Sequence, residues 1–327
     1  MRVLVPGGLG FIGSRVARDL VRRGHSVTIA DDCSGHVTER VAGTVAALSP
    51  IERFVSQTSV IGPWDAIIHC AAPVGGLGVV KAGMVASRIM SATEAVIHIA
   101  REHGAALVNV SSSEVYGAPG AYTEDTPCIV PARYSHRLGY ALGKRAAEND
   151  VHTAGLRSVV SVRPFNVVGP GQSAAKGFVL PRWVEQVRAG DDLTVFGTGE
   201  QGRSFTSIHD LAPWLCDLAE RVAAEPRDYG VVNAGAPQNH TTIRAFAFAV
   251  NMVAGRSPSR VRFTTGVREY DDARYEEAEG TTKSPANVDR ARALGWNPVW
   301  TLDGIARNAL AEAGVDGSVP ASVRDTA

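Results

Sequence analysis

A tyrosine and a lysine four positions apart form the pair of side chains in this sequence best suited to proton transfer. Tyr140 and Lys144 lie in an alanine-rich, helix-favouring segment, so both side chains should point the same way from one helix face. An ammonium group beside a phenol favours the phenolate and lowers a phenol pKa that begins near ~10. Such a tyrosine can take a proton from a sugar or alcohol hydroxyl at neutral pH. Taken alone, the spacing also fits an ordinary pair on a helix.

Three serines and a glutamate precede this pair, at the end of a predicted strand. Residues 107–110 form a short apolar run with β-branched residues after Gly104, which predicts a buried strand. Ser112 and Glu114 follow it, at the carboxyl edge where open α/β sheets bind their ligands. If the alternation of the strand continues, both side chains face the same side, towards a substrate.

The amino terminus carries a glycine pattern typical of dinucleotide binding. Residues 2–5 predict a strand, and Gly7, Gly10 and Gly13 lead from it into an amphipathic helix. Gly7 allows a tight turn, Gly10 lets the backbone approach a pyrophosphate, and Gly13 lets the helix pack closely on the sheet. The helix amino terminus then offers N–H groups and the positive end of a dipole to the phosphates.

Two aspartates after the second predicted strand, 27–30, indicate which dinucleotide would bind. Asp31 stands where a carboxylate bonds the ribose hydroxyls and repels a 2′-phosphate, and no arginine directly follows Asp32. Together with the glycine pattern, this arrangement favours NAD over NADP. The alternative is a glycine-rich turn followed by a surface acid.

The segment between the second and fourth predicted strands is short. Residues 51–55 predict the third strand, and residues 65–69 predict the fourth soon after a turn at 56–59. No helix is therefore expected between these two strands, which would leave the adenine side of the site more open. Further along the chain, the sequence predicts a helix over about 85–103 and a central strand over 158–162.

The order of these motifs resembles that of the extended short-chain dehydrogenase/reductases, specifically the nucleotide-sugar epimerase/dehydratase family. Further matches are Arg-Pro-Phe-Asn-Val-Val-Gly-Pro-Gly at 163–171, Arg-Ser-Phe at 203–205 before His-Asp-Leu at 209–211, and Leu-Gly-Trp-x-Pro at 294–298. The resemblance extends from Arg2 to about Ile305. It implies an α/β fold, a Rossmann-type doubly wound parallel sheet with a smaller C-terminal substrate lobe.

The resemblance also implies roles for individual residues. The expected catalytic residues are Ser112, Glu114, Tyr140 and Lys144. The expected contacts of NAD are Gly7, Gly10, Phe11, Ile12, Gly13, Asp31, Asp32, Ala71, Ala72, Tyr140, Lys144 and Pro164. The expected contacts of a nucleotide-sugar substrate are Ser113, Asn166, Arg203 and Arg268, with the two arginines at the diphosphate. No metal site is expected.

The same resemblance predicts how the chain is divided. The NAD-binding domain would take residues 1–164, about 211–230 and 286–313, and the nucleotide-sugar lobe would take about 165–210 and 231–285. A small, polar tail at 314–327 is expected to be disordered. Relatives form homodimers in which the helix of the tyrosine–lysine pair and its neighbour make a four-helix interface. A homodimer is expected here, with a contribution from the apolar helix around 85–99.

The chemistry that the resemblance implies begins with oxidation at C4 of the sugar. NAD takes the hydride, Tyr140 takes the hydroxyl proton, Ser112 hydrogen-bonds the same oxygen, and Lys144 holds the nicotinamide ribose. Re-reduction of the ketone would give a C4 epimer. Loss of a C3 or C5 proton would give a C3/C5 epimer or, with loss of water, a 4-keto-6-deoxy sugar. A uronate could instead lose carbon dioxide.

Glu114 bears on this choice, because dehydratases and uronate decarboxylases of the family have Glu there and simple C4 epimerases a small or neutral residue. The Gly-Gly loop at 75–78 is similar to loops of epimerases in the family. Residues 281–283 lack the Arg that decarboxylases of the family have, and Ser113 replaces the usual Asp of dehydratases, so both of these classes fit less well. We expect an epimerase first, an NDP-hexose 4,6-dehydratase second and a UDP-glucuronate decarboxylase third. A non-catalytic NAD-binding regulator is disfavoured because the tyrosine–lysine pair is intact.

The composition limits the partners and the location. The 327 residues include 33 basic and 33 acidic side chains, so neither nucleic acid nor a membrane surface is expected as a partner. The four cysteines are far apart and form no C-x-x-C or Cys/His cluster, which indicates reduced thiols. Without a signal peptide or a membrane-length apolar run, a soluble cytoplasmic protein is expected.

Overall fold

The computed structural model describes most of the chain. The described residues are 1–34, 41–54, 62–75, 79, 82–117, 120, 122–130, 136–264 and 286–315. Several sequence predictions concern positions outside these ranges and stay predictions: Arg268, loop residues 76–78, the turn at 56–59, residues 281–283 and the tail beyond Val315.

Seven parallel strands form the central sheet. Among the described residues the strands are β1 (Arg2–Pro6), β2 (Ser26–Ala30), β3 (Thr44–Ala47), β4 (Ala66–His69), β5 (Ala106–Val110), β6 (Val159–Pro164), β7 (Val167–Val168), β8 (Leu193–Phe196), β9 (Gly202–Ser204), β10 (Thr206–Ser207), β11 (Asp228–Ala234), β12 (His240–Thr242) and β13 (Val261–Thr264). The sheet has the order β11-β6-β5-β4-β1-β2-β3, with every neighbouring pair parallel. The strand order reverses beside β1, and ligands of such sheets bind at that point. The predicted Rossmann-type α/β fold is confirmed.

Helices cover both faces of this sheet. In the part of the chain that the structure describes, the helices are α1 (Phe11–Arg22), α2 (Ile51–Phe54), α3 (Val85–His103), α4 (His136–Thr153), α5 (Val179–Ala189), α6 (Ile208–Ala224), α7 (Ile243–Val253), α8 (Asp289–Ala293) and α9 (Leu302–Glu312). Helices α1 and α6 pack on one face, whereas α3 and α4 pack on the other. Within the described ranges, no helix is both long enough and apolar enough to cross a membrane.

The boundaries of the site-bearing helices follow from local sequence chemistry. Helix α6 begins after Ser207, whose side chain accepts a hydrogen bond from the backbone N–H of His209. Helix α3 ends at Gly104, which adopts φ +62 and returns its N–H to the last turn of the helix. The end of α3 places the polypeptide directly before β5, at whose carboxyl end the predicted catalytic residues begin.

The prediction of the third strand was wrong. Residues 44–47 form β3, whereas Ile51–Phe54, predicted as that strand, form the one-turn helix α2. Residues 45–48 are also a short apolar run, so both segments fit a strand. The segment that pairs with β2 is 44–47, although Val45 there is 61% exposed at the sheet edge. Ile51 is buried, but it packs among the side chains on the α3 face of the sheet. A helical turn therefore does lie between β3 and β4, contrary to the expectation that no helix would.

A second apolar core lies outside the sheet and is formed by α5, α7 and α9 with β8. Trp183, Val195, Phe246 and Leu310 are among its buried residues. This packing differs from the predicted domain boundaries in two places. Strand β11 joins the central sheet, although residues from 231 onwards were expected in the lobe, and α9 joins the second core, although it was expected in the NAD-binding domain.

Candidate active site

The glycine turn has the close contacts that its sequence predicts. Gly7 has φ +76, and a Cβ atom there would lie 2.6 Å from the backbone nitrogen of Ala71, just beyond β4. A Cβ on Gly13 would lie 2.2 Å from the carbonyl oxygen of Gly7. Both positions therefore require glycine for the turn to fit between β1, α1 and the end of β4. Ala71 and Ala72, predicted to flank the cofactor, lie half-buried at that junction.

The start of α1 is suited to a phosphate group. Gly10 is the N-cap, so no side chain there accepts a hydrogen bond from the first turn, and that turn contains no acidic residue. A Cβ on Gly10 would approach only the carbonyl oxygen of Gly7, at 3.3 Å. Phe11 and Ile12 follow as half-buried residues of the first turn. The backbone N–H groups and the helix dipole there fit the pyrophosphate of a dinucleotide.

Asp31 has a structural role as well as the predicted one. Its carboxylate accepts hydrogen bonds from the N–H of Leu9, at 3.0 Å, and of Cys33, at 2.9 Å. One oxygen thus fixes the glycine turn and the other fixes the loop after β2. The carboxylate lies beside the glycine turn, where the ribose of a dinucleotide would pass.

Two cations that the sequence did not single out lie near the aspartate pair. Nη2 of Arg88, on α3, lies 3.8 Å from Oδ2 of Asp32. Burial lowers the pKa of Lys176, and the charges of Asp31 and Asp32 oppose that change. The backbone of Lys176 also packs on Gly75, where a Cβ would lie 2.6 Å from its carbonyl oxygen. A 2′-phosphate would therefore meet less net negative charge than two isolated carboxylates would present.

The residues after β5 turn earlier than the sequence predicted. Strand β5 ends at Val110, and a 3-10 turn spans Ser113–Tyr116. Ser112 caps this turn, with its Oγ accepting a hydrogen bond from the backbone N–H of Glu114 at 3.2 Å. The expected strand alternation therefore does not continue through Ser112 and Glu114. The turn, rather than the alternation, brings both residues to the carboxyl edge of the sheet.

Tyr140 contacts Ser112, but its predicted pKa shift was wrong in direction. Burial raises the pKa of Tyr140 to about 12, the hydrogen bond with Ser112 opposes this change, and the negative charge of Glu114 adds to it. The side chain of Lys144 donates instead to the carbonyl oxygen of Val110, at 2.7 Å. Desolvation of the phenolate therefore decides the pKa, because the ammonium group is held by the backbone of β5.

Lys144 is itself buried, with 3% of its surface exposed. Burial lowers the pKa of its ammonium group to about 8, and interactions with Cys70 and Glu148 oppose this change. Cys70 lies just past the end of β4 and Glu148 lies one turn further along α4. The lysine therefore changes its charge near physiological pH, so small changes in its surroundings would alter its protonation.

Glu114 and Arg203 lie near the same tyrosine ring. Burial raises the pKa of Tyr122 to about 12, the charge of Glu114 raises it further, and the charge of Arg203 lowers it. Burial likewise lowers the pKa of His240, and Arg203 adds to that change. The predicted diphosphate-binding arginine of β9 thus lies close to the predicted catalytic end of the sheet, on the side of the second core.

The remaining predicted residues are less clearly directed at a substrate. Asn166 has φ +36, and its Nδ2 donates to the carbonyl oxygen of Ser204 at 3.1 Å, so its amide joins the connection between β6 and β7 to β9. Ser113 lies buried in the 3-10 turn, and Pro164 is the buried last residue of β6. The substrate roles of Asn166 and Ser113 therefore stay predictions.

A buried ion pair near the tyrosine–lysine pair was not predicted. Glu148 and Arg163 are 1% and 3% exposed, and two hydrogen bonds join their side chains. The sequence contains a signal only for the arginine, as the first residue of the motif at 163–171. Glu148 lies eight residues after Tyr140 on the same helix, so helical spacing could have indicated a shared face.

Comparisons with known proteins agree with this geometry. A family model described as the NAD dependent epimerase/dehydratase family matches residues 3–235. UDP-glucuronic acid decarboxylase 1 of Xenopus tropicalis is 28% identical over 320 residues, which cover 92% of this chain and 69% of that protein. UDP-N-acetyl-alpha-D-glucosaminuronate decarboxylase of Bacillus cytotoxicus is 31% identical over 249 residues, covering 72% of this chain and 74% of that protein.

The fold also matches solved structures. UDP-glucose 4-epimerase of Thermus thermophilus, in complex with NAD, superposes with a TM-score of 0.78 at 23% sequence identity. The match covers 96% of this chain and 99% of the epimerase chain.

Proposed function

Because the chain belongs to the NAD-dependent epimerase/dehydratase family, we propose that it acts on a nucleotide sugar through transient oxidation at C4, with the hydride returned to the altered sugar before release. NAD, the cofactor of this family, supplies the acceptor and the donor of the hydride when it is bound. The observation that carries the proposal is the contact of Tyr140 with Ser112, with Glu114 close to both, at the carboxyl edge of the sheet.

Tyr140 and Ser112 are the proposed pair at the reacting oxygen. A sugar hydroxyl at this edge would give its proton to the Tyr140 oxygen while Ser112 holds the same oxygen by a hydrogen bond. With a pKa of about 12, Tyr140 is protonated at neutral pH in the structure, so this transfer requires that its pKa falls. Protonation of Glu114 would help, because the negative charge of Glu114 is one of the causes that raise this pKa.

Glu114 is the proposed second acid/base. Its charge acts on both Tyr140 and Tyr122, and the charge of Arg203 acts on Tyr122 as well, so Glu114 is near the reactive tyrosine and near the ring that Arg203 influences. A carboxylate in that position can remove or return a proton at a carbon next to the ketone. Epimerase is the activity expected first from the sequence. Among epimerases, this role of Glu114 favours a product altered at C3 or C5 over a simple C4 epimer.

A uronate decarboxylase is the second candidate. It is favoured by the two curated relatives described above, which are uronate decarboxylases, and by Glu114, which the sequence analysis associates with that class. For such a substrate, Arg203 is a cation whose charge acts on the Glu114–Tyr122 side of the site. A 4,6-dehydratase is the third candidate, because it shares the same ketone intermediate.

We also propose a homodimer formed through α4 and the segment before it, acting in the cytoplasm. Leu142 on α4 is 39% exposed, and Ile129 and Val130, in the segment before that helix, are 55% and 60% exposed. A second copy of the chain would cover these apolar side chains. The four cysteines are free thiols, which supports a reducing compartment.

A panel of nucleotide sugars tests the proposed function. The protein with NAD would be incubated with UDP-, GDP-, dTDP- and CDP-hexoses and the corresponding uronates, and the products followed by mass spectrometry and NMR. An unchanged mass with altered stereochemistry identifies an epimerase, loss of water a dehydratase, and loss of carbon dioxide a decarboxylase. Absence of turnover with every sugar, in a protein that binds NAD, would instead support the non-catalytic regulator.

A further inference from the structure

The face of α4 that meets the sheet carries a polar side chain at every fourth position. These residues are Tyr140, Lys144, Glu148 and His152. Three of them bond to a strand or to the residue that follows it. Lys144 bonds the end of β5, Glu148 bonds Ser111 just after β5, and His152 bonds Ser161 on β6. The catalytic tyrosine thus begins a line of polar contacts that fixes the helix against the sheet.

Glu148 is the most completely bonded member of this line. One carboxylate oxygen accepts from Oγ of Ser111 at 2.6 Å and from Nε of Arg163 at 2.8 Å. The other accepts from Nη2 of Arg163 at 2.7 Å. The carboxylate is therefore bidentate with a guanidinium and is held by both β5 and β6. Such a pair fixes its helix turn in one position, because removing either partner would leave a buried charge.

Glu148 is also an acidic side chain that acts on Lys144, which lies four residues earlier on the same helix. The groups that face Lys144 from β4 are His69, whose pKa burial and Lys144 itself lower to about 3, and Cys70, whose pKa burial raises to about 12. Both are neutral at physiological pH. Along α4 the lysine has Tyr140 on one side, a phenol at that pH, and Glu148 on the other. Arg163 on β6 adds a positive charge, which is directed at Glu148.

We propose that Glu148, fixed by Arg163 and Ser111, is a positioning residue that keeps Lys144 protonated and holds it against β5 for cofactor binding. The inference rests on the proposed function, in which Lys144 holds the nicotinamide ribose. Glu148 contacts neither substrate nor cofactor in this role. It acts through the lysine one turn away, and the ion pair with Arg163 stops the carboxylate from turning towards the ammonium group and becoming its direct partner.

The pH dependence of NAD binding tests this role without any sugar substrate. Calorimetry between about pH 6 and pH 10 should show the affinity of the unmodified protein falling as Lys144 loses its proton. In Glu148→Gln this fall should occur about one pH unit lower, because the negative charge is gone and Arg163 remains. Glu148→Asp should restore most of the shift, since it keeps the charge. Glu124→Gln is the matched control, because Glu124 is also a buried acid but bonds Asn233 and Arg290, and it should cause no shift.

A second variant protects the test against loss of folding. The double variant Glu148→Gln with Arg163→Gln removes both charges, so no buried charge is left without a partner. The pH at which its NAD affinity falls should lie between the values for the unmodified protein and for Glu148→Gln. The proposal would be overturned if the variants, confirmed as folded by circular dichroism, lost NAD affinity at the same pH as the unmodified protein. It would also be overturned if the NAD affinity of the unmodified protein did not change with pH. The outcome is separate from the sugar panel, because a shifted limb without turnover would contradict only the proposed reaction.

Discussion

The face of the sheet under α1 and α6 is apolar, whereas the face under α4 becomes polar towards the carboxyl ends of the strands. On the first face, β4, β5 and β6 contribute only Ala, Ile and Val to the buried core. On the second, His69, Asn109 and Ser161 are register neighbours on those same strands, and Arg163 follows Ser161 on β6. Side chains alternate between the two faces along β4, β5 and β6. The apolar face therefore stabilises the protein through burial, whereas the polar face positions reactive groups.

The polar face carries a cost that the apolar face does not. Among the described residues, neither ring nitrogen of His69 has a hydrogen-bond partner, and Oδ1 of Asn109 also lacks one. Buried polar atoms without partners reduce stability. The comparison therefore predicts that changes on the polar face alter activity or pH dependence, whereas changes on the apolar face alter stability alone.

The largest expected effect is that of Tyr140→Phe on the polar face. Removal of the hydroxyl should lower turnover at least about a thousandfold, because no other group accepts the sugar proton. NAD binding should change little, since the glycine turn and Asp31 are untouched. Turnover would be measured by NMR of the product and NAD binding by calorimetry. Activity within tenfold of the original would show that another base accepts the proton.

On the apolar face, Leu215→Ala should change stability without changing chemistry. Leu215 is completely buried between α6 and the sheet, so its truncation should lower the free energy of unfolding by about 2–5 kcal/mol. Urea denaturation would give this value, and kcat per folded molecule should stay the same. A large fall in kcat with an unchanged unfolding midpoint would contradict the separation of the two faces.

Glu114→Gln should separate proton exchange on carbon from hydride transfer. In deuterated water, the unmodified enzyme should place deuterium on C3 or C5 of its product, and the variant should slow that incorporation about a hundredfold while NAD reduction survives. Mass spectrometry would measure the deuterium. If the original enzyme forms an epimer without deuterium on carbon, Glu114 is not a base and the enzyme is a C4 epimerase.

The smallest expected effect is a loss of stability in acid caused by His69. Burial, together with Lys144, lowers the pKa of His69 to about 3, below its ordinary value of 6.5. Below about pH 6.5, His69 therefore binds a proton in the unfolded chain but stays neutral in the folded chain, so the free energy of unfolding falls as the pH drops. The loss between pH 7 and pH 5 should be about 2 kcal/mol. His69→Leu should reduce this loss, as measured by urea unfolding at both pH values, and an unchanged loss would place its origin elsewhere.

The sequence was most informative where a local rule decides the structure. The glycine turn requires small residues within a few positions of one another, and the strands before Asp31 and Ser111 are short apolar runs, so both could be predicted. Strand β3 could not, because residues 45–48 and 51–55 are both short segments with apolar residues, and only the folded sheet shows which of them pairs with β2. Ile51–Phe54 is a single turn, which is too short for periodicity to distinguish a helix from a strand.

Within the candidate site, the residue types could be predicted but their energetics could not. The pKa of Tyr140 depends on burial and on where the ammonium of Lys144 points, and both are properties of the folded packing. The Glu148–Arg163 pair joins residues on a helix and the following strand whose contact depends on the orientation of α4. The approach of Lys176 to Asp31 likewise depends on a turn far along the chain.

The four thiols of the chain differ enough in accessibility to make chemical labelling selective. Cys33 is exposed and lies two residues from Asp31, to which its backbone N–H donates. Cys216 is buried, and burial raises the pKa of Cys70 to about 12, so both react poorly with alkylating reagents. Cys128 is half-buried, so a maleimide dye should attach first to the exposed Cys33, beside the dinucleotide groove. Its fluorescence would report cofactor docking in the natural sequence, without an introduced cysteine.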